Sequence, residues 1–109
     1  MRRAIVRLDG LRVGVLAEEA GAGTAFTYDR AWVDRGGAPV SLTLPLREAP
    51  YPWKTGLHPF FENLLPEGWL LELSTKALKI SKDDAFGLLL ATGADCAGAV
   101  EVVPDEEAA

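Results

Sequence analysis

His58-Pro59-Phe60-Phe61-Glu62-Asn63-Leu64-Leu65-Pro66-Glu67-Gly68-Trp69 divides this chain: the residues before it read as β and those after it mostly as α. Proline is at home in the first turn of a helix, where its missing N–H costs nothing and its φ is already helical. Pro59 and Pro66 therefore each mark a helix start, and the stretch predicts two consecutive helical pieces broken at Pro66. In the first piece Phe60, Phe61, Leu64 and Leu65 fall at i, i+1, i+4 and i+5, an apolar stripe wide enough to lie on a sheet. In the second, an advance of about 100° per residue puts Leu70, Leu71, Leu73, Ser74, Ala77 and Leu78 on one side and Glu72, Lys76 and Lys79 on the other. Trp69 falls at the border of the polar side, directly after Gly68. From the wheel it is either a partly exposed aromatic or a lid folded back over the Pro66 break.

Working towards the N-terminus, Ala4 to Asp9 and Arg12 to Ala17 are alternating, β-branched runs joined across Asp9-Gly10, a hairpin signal that predicts two antiparallel strands. Glu18 to Gly23 is a turn. Its Gly21-Ala22-Gly23 lacks the third glycine and the strand-to-helix setting of a dinucleotide loop. Thr24 to Tyr28 is a third strand with Phe26 and Tyr28 on one face. Asp29 to Val33 is too short to assign, with Trp32 expected to anchor it on the core. Asp34 to Pro39 is a loop by composition, and Val40-Ser41-Leu42-Thr43-Leu44-Pro45 alternates and predicts a fourth strand. Leu46 to Leu57 holds Pro50, Pro52 and Gly56 without periodicity. It reads as a long connection, a flap in which Tyr51 and Trp53 cover the sheet or else a functional loop.

Working towards the C-terminus, Ser81 stands as an N-cap with Asp84 at the third helical position, ahead of a third helix over 85–91. Thr92-Gly93 ends it, with the glycine expected in the left-handed conformation. The small-residue run Gly93-Ala94-Asp95-Cys96-Ala97-Gly98 suggests a tight turn with Cys96 as a small buried hydrophobe, and Ala99 to Val103 is a closing strand. The helices are grouped rather than alternating with strands. This predicts an α+β fold, an antiparallel sheet or small open β-barrel of about five strands with two or three packed helices.

At 109 residues the chain makes one domain, assigned to residues 1–104, with 105–109 as an acidic tail. The net charge of −5 and the dispersal of its eleven Lys and Arg argue against a nucleic-acid partner. No apolar run reaches the roughly 20 residues of a membrane span, and Arg7 and Asp9 interrupt any signal-peptide core. The expected location is the cytoplasm. One cysteine and one histidine cannot build a zinc site, and no cofactor loop is present, so no metal or cofactor is expected.

Catalysis finds little support. Nucleophilic chemistry needs a nucleophile, a base and an orienting group, yet His58 is the sole imidazole and sits at a helix start, where it caps or faces solvent. Glu18-Glu19, Asp83-Asp84 and Glu106-Glu107 are adjacent pairs that diverge rather than share a proton. The residues read as a non-catalytic binding or regulatory domain.

Several segments, taken in order, resemble the N-terminal subdomain of HipA-type serine/threonine kinase toxins. They are Ile5-Val6-Arg7-Leu8 with Val13-Gly14-Val15-Leu16, Phe26-Thr27-Tyr28-Asp29 with Trp32, Leu42-Thr43-Leu44-Pro45-Leu46, Phe60 through Gly68, and Gly93 through Val100. The resemblance covers nearly the whole chain and implies an antiparallel sheet or small barrel with packed helices, set in front of a much larger kinase domain. This chain stops after the closing strand, so kinase activity is not carried over. What is implied instead is a HipS-like small subunit of a tripartite HipBST-type toxin-antitoxin system. Such a subunit neutralises a separate, shortened HipA-like (HipT-like) kinase by direct binding, with a HipB-like helix-turn-helix protein as a further candidate partner. The expected docking residues are Glu67, Gly68 and Trp69, flanked by Glu72 and Lys76. The tryptophan would fill an apolar pocket while Glu67 or Glu72 meets basic groups. The alternative is a scaffold or dimerisation subunit that completes a split kinase without inhibiting it.

Overall fold

A computed structural model describes residues 2–19, 21, 23–65, 76, 84–93 and 99–105. The hairpin forms as the sequence predicts, from β1 (Arg3–Leu8) and β2 (Leu11–Glu18). Asp9 and Gly10 take φ of 51° and 82°, the two positive values that a type I′ turn needs to match the strand twist. The register runs Val6↔Gly14 and then Arg7↔Arg12. That shift leaves Val13 as an extra residue, a bulge that turns its side chain wholly into the core.

β3 (Thr24–Tyr28) pairs with β2, β4 (Tyr51–Trp53) pairs with β3, and β5 (Val100–Pro104) returns to pair with β1. The result is an open antiparallel sheet in the order β4-β3-β2-β1-β5. The helices that accompany it with described bounds are α1 (Arg30–Asp34), α2 (Pro59–Glu62) and α3 (Ala85–Thr92). The α+β expectation of about five strands with packed helices holds.

Alternation gives the sheet two faces. Ala4, Val6, Leu16, Phe26, Tyr28 and Val102 point to one of them and meet Trp32, Phe61, Phe86 and Leu89 in a single core. Phe26 lies at its centre, edge-on to Tyr28 at 4.8 Å and tilted against Phe61 at 5.3 Å. Gly14 makes this possible, since a Cβ there would stand 2.5 Å from the Thr27 carbonyl and 2.8 Å from the Phe26 ring. Trp32 is buried as expected, and its indole N–H donates to the Ala38 carbonyl at 2.9 Å. The other face carries the cross-strand rows Ile5, Val15, Thr27 and Arg3, Ala17, Ala25.

Three expectations are corrected. The fourth strand is not Val40 to Pro45: that segment closes on itself through a lone Ser41↔Leu44 bridge, with the Leu44 N–H on the Ser41 carbonyl at 3.0 Å. The Ser41 hydroxyl accepts from the Thr43 N–H at 3.2 Å and bonds the Thr43 hydroxyl at 2.9 Å. Side-chain hydroxyls thus satisfy the backbone locally and displace the ladder that alternation suggests. The strand position goes instead to Tyr51-Pro52-Trp53, inside the supposed connection. Proline is tolerated there because β4 is an edge strand. Tyr51 packs against the core while Trp53 stays 40% exposed. The N-cap of α3 is Asp84, whose side chain accepts from the Gly87 N–H; Ser81 lies outside the described residues. Finally, Gly93 caps the helix at φ −67°, in the right-handed region. Its role is close approach, since a Cβ would stand 2.3 Å from the Val102 carbonyl.

Candidate interaction surface

Of the expected docking residues, Lys76 is helical and its side chain is exposed. Glu67, Gly68, Trp69 and Glu72 lie outside the described residues, as does Cys96. The structure does show what anchors the chain on both sides of them.

On the N-terminal side the anchor is α2. Pro59 fills the first helical position, and His58 is its cap, Nδ1 accepting from the Phe60 N–H at 3.1 Å. An acceptor nitrogen must be unprotonated, and partial burial lowers the His58 pKa from its ordinary value, which favours that form. Trp53 of β4 stands edge-on to the imidazole at 5.0 Å. The sole histidine is therefore engaged as a cap, one of the two roles, cap or solvent-facing, that its position before Pro59 allows. Phe61 follows it into the core with no exposed surface, and Phe60, Leu64 and Leu65 pack beside it.

On the C-terminal side the anchor is Asp84. Its carboxylate accepts from the Gly87 N–H at 3.1 Å and from both terminal nitrogens of Arg2. Arg2 also donates through Nε to Glu18 at the end of β2, at 2.6 Å, and its guanidinium lies 5.4 Å from the Phe86 ring centre. Arg2 bonding holds the Asp84 carboxyl below its usual range, and the same bond raises the guanidinium pKa. Sequence reading assigned Asp84 to the helix cap region but had no signal for Arg2, 82 positions away.

A third feature lies on the 40–44 turn. The Tyr28 hydroxyl accepts from the Val40 N–H at 3.0 Å and donates to the Leu44 carbonyl, so one buried phenol closes both ends of the turn. Burial raises the Tyr28 pKa and keeps the hydroxyl protonated. Val40 and Leu44 are buried beneath the turn, whereas Leu42 at its tip is 96% exposed. Nothing in the alternating sequence separates Leu42 from its neighbours, because the distinction arises only when the chain turns.

These features are two helix caps, an ion pair and a clamped turn. No group of three or more His, Cys, Asp or Glu side chains close enough to hold a metal occurs among the described residues. Every buried side-chain polar atom among them has a hydrogen-bond partner. No helix among them is long and apolar enough to cross a membrane.

Comparison with known proteins gives a consistent result. The family model described as HipA N-terminal domain matches residues 4–103. An uncharacterized protein of Haemophilus influenzae is 34% identical over 107 residues, covering 98% of this chain and 96% of that protein. The serine/threonine-protein kinase toxin HipA of Shewanella oneidensis is 36% identical over 100 residues, and a putative kinase of Sinorhizobium fredii, Y4mE, is 34% identical over 100. Those matches take in 91% of this chain but only 22% and 24% of the two kinases. This chain thus spans about a quarter of their length. Among solved structures, one described as the N-terminal domain of HipA toxin superposes with a TM-score of 0.73 at 32% identity, over 98% of this chain and 95% of that one. The Shewanella HipA in its complex with HipB and operator DNA superposes with a TM-score of 0.76 at 34% identity, over 94% of this chain and 24% of that one.

Proposed function

This chain belongs to the HipA N-terminal domain family, and from that premise we propose that it is a non-catalytic, antitoxin-like cytoplasmic protein that binds and neutralises a separate HipA-like serine/threonine kinase toxin. The observation that carries this reading is that the same unit occurs at two lengths among the relatives. It is nearly the whole of the Haemophilus protein and about a quarter of the kinases. A unit with this fold both in a separately solved domain and inside a longer HipA chain can meet the rest of a kinase in trans.

In this proposal Glu67, Gly68 and Trp69, with Glu72 and Lys76, form the docking segment. The exposed Lys76 supports an outward polar side for that segment. Trp69 supplies a rigid apolar anchor, and Glu67 or Glu72 faces basic groups that otherwise hold phosphate. A HipB-like DNA-binding protein is a further partner by analogy with the Shewanella complex. The test is co-expression with the neighbouring, shortened HipA-like kinase, scoring rescue from growth arrest together with co-purification. Rescue with a stable complex, lost in Trp69→Ala, is the expected result. Rescue retained in Trp69→Ala would remove Trp69 from the mechanism.

A second reading is a scaffold or dimerisation subunit that completes a split kinase. It draws on the Shewanella HipA, where the matching unit is a built-in part of the chain. That reading expects a complex without rescue, and kinase activity unchanged or raised by addition of this protein.

A further inference from the structure

The sheet face turned away from the core holds an open groove. Val15, Ala17, Ala25 and Thr27 make its floor on β2 and β3, and Arg3, Arg12 and Arg30 stand at its rim. Two carboxylates share that rim, Glu19 and Asp29, and Asp29 is taken up by Arg12, whose Nε donates to it at 2.9 Å. Arg3 has no ion-pair partner among the described residues, and the exposed Arg30 reaches only its helical neighbour Asp34, at 3.9 Å. A basic rim is unexpected in a chain of net charge −5, and the sequence shows how it arises. Residues 1–54 carry two more basic than acidic side chains, while residues 55–109 carry seven more acidic than basic. The second half of the chain thus holds the charge that complements a groove built by the first.

β5 delivers an acidic segment to this rim. It runs beside β1 in the register Ala4↔Pro104, and the Asp105 N–H donates to the Arg3 carbonyl at 3.1 Å. The sequence continues with Glu106-Glu107-Ala108-Ala109, which lie outside the described residues. From that point the row Arg3, Ala17, Ala25 leads across β1, β2 and β3. Strands stand about 4.8 Å apart, and four extended residues reach about 13 Å, enough to cross β1 and lie over Ala17 on β2. We propose that residues 106–109 are an acidic strap that folds back across this row and occupies the groove, with a glutamate on Arg3 and the two alanines over the alanine floor. Small side chains on both sides let the strap lie close, and Arg12 and Arg30 add attraction from further along the rim. Tethering holds the segment at an effective concentration on the order of millimolar, so contacts of modest strength suffice. The inference is independent of the antitoxin reading.

The experiment compares the full chain with a chain ending at Asp105 and with Arg3→Gln, by amide and methyl NMR spectra at low and high salt, with sedimentation to follow mass. Both changes spare the core: the Arg3 side chain is exposed, and the cut falls after the Asp105 bond to β1. Loss of the strap is expected to move the signals of Val15, Ala17 and Ala25, and Arg3→Gln to move the same signals part of the way in the same direction. Raising the ionic strength from about 0.01 M to about 1 M shortens the screening length from roughly 30 Å to roughly 3 Å. That change should carry the full chain's Ala17 and Ala25 signals to their positions in the shortened chain. Signals of Ala17 and Ala25 that the cut leaves in place, with changes confined to residues 103–105, would overturn the strap. So would a response to the cut that neither salt nor Arg3→Gln reproduces. A full chain that dimerises where the shortened chain does not would put the tail in a second copy's groove, and would equally overturn the intramolecular strap.

Discussion

Arg2 grips Asp84 with two parallel bonds, Nη1 to Oδ2 at 3.0 Å and Nη2 to Oδ1 at 2.7 Å, and so ties the approach to β1 to the N-cap of α3. The same carboxylate receives the Gly87 N–H. One side chain therefore serves as helix cap and as ion-pair partner, and the two roles separate by mutation.

Asp84→Ala removes both roles, whereas Asp84→Asn keeps a cap acceptor. Both partners are part-exposed, so the ion pair contributes at most about 1 kcal/mol after solvent screening, and the cap contributes about 1 kcal/mol. Asp84→Ala is expected to lose about 1.5 kcal/mol and Asp84→Asn about 0.5 kcal/mol, read from urea midpoints at pH 7. Because bonding to Arg2 lowers the folded Asp84 pKa below its ordinary 3.8, the charge-dependent part is fully present above that value. It is lost as pH falls through the lowered one. The gap between wild type and Asp84→Asn should accordingly close in strong acid, and a gap that persists there would exclude the ion pair as its source.

His58 titrates in the opposite chemical sense but loses stability in the same direction. Its folded pKa lies below the ordinary 6.5, so the unfolded chain takes up the proton first and the contribution is complete above about pH 6.5. It drains away as pH falls through the folded value, because a protonated Nδ1 cannot accept from Phe60. Asparagine caps without titrating. Melting curves from pH 7.5 to 5 should fall for wild type and stay flatter for His58→Asn; parallel curves would mean that the cap does not govern this response.

Tyr28→Phe leaves the Val40 N–H and the Leu44 carbonyl without their partner in a buried setting. Each unsatisfied group costs about 1–3 kcal/mol, partly recovered if the turn opens to water. A loss of about 2–3 kcal/mol is expected from denaturant unfolding, with amide exchange at Val40 accelerated ahead of β1 and β2. Unchanged protection at Val40 would contradict the clamp.

Gly14→Ala forces a methyl group to within 2.5 Å of the Thr27 carbonyl and 2.8 Å of the Phe26 ring. The carbonyl belongs to a paired strand and Phe26 to the centre of the core, so neither gives way freely. Overpacking of this kind costs about 1–3 kcal/mol. Gly10→Ala, with φ of 82° but no atom within 4 Å, tests backbone strain alone, and calorimetry of the two separates packing from conformation.

How much of this was legible in the chain depends on the range of the physics. The Asp9-Gly10 hairpin, the third strand with Phe26 and Tyr28 on one face, the helix start at Pro59, the capping His58 and the buried Trp32 all follow from neighbours within a few positions. Propensity, turn chemistry and side-chain period act over that distance. So does the grouping of strands before helices that announces an α+β fold. What sequence could not decide was where rival local solutions meet distant partners. Val40 to Leu44 satisfies a strand pattern and a hydroxyl-stapled turn equally well, and the Tyr28 phenol, twelve positions from Val40, favours the turn. Tyr51 to Trp53 carries a proline that argues against a strand until an open edge beside β3 makes the missing donor harmless. Arg2 finds Asp84 only because the sheet and α3 pack together. Local chemistry set the elements, and long-range hydrogen bonding and packing set which of them became strand, which became turn, and which leucine was left facing outward.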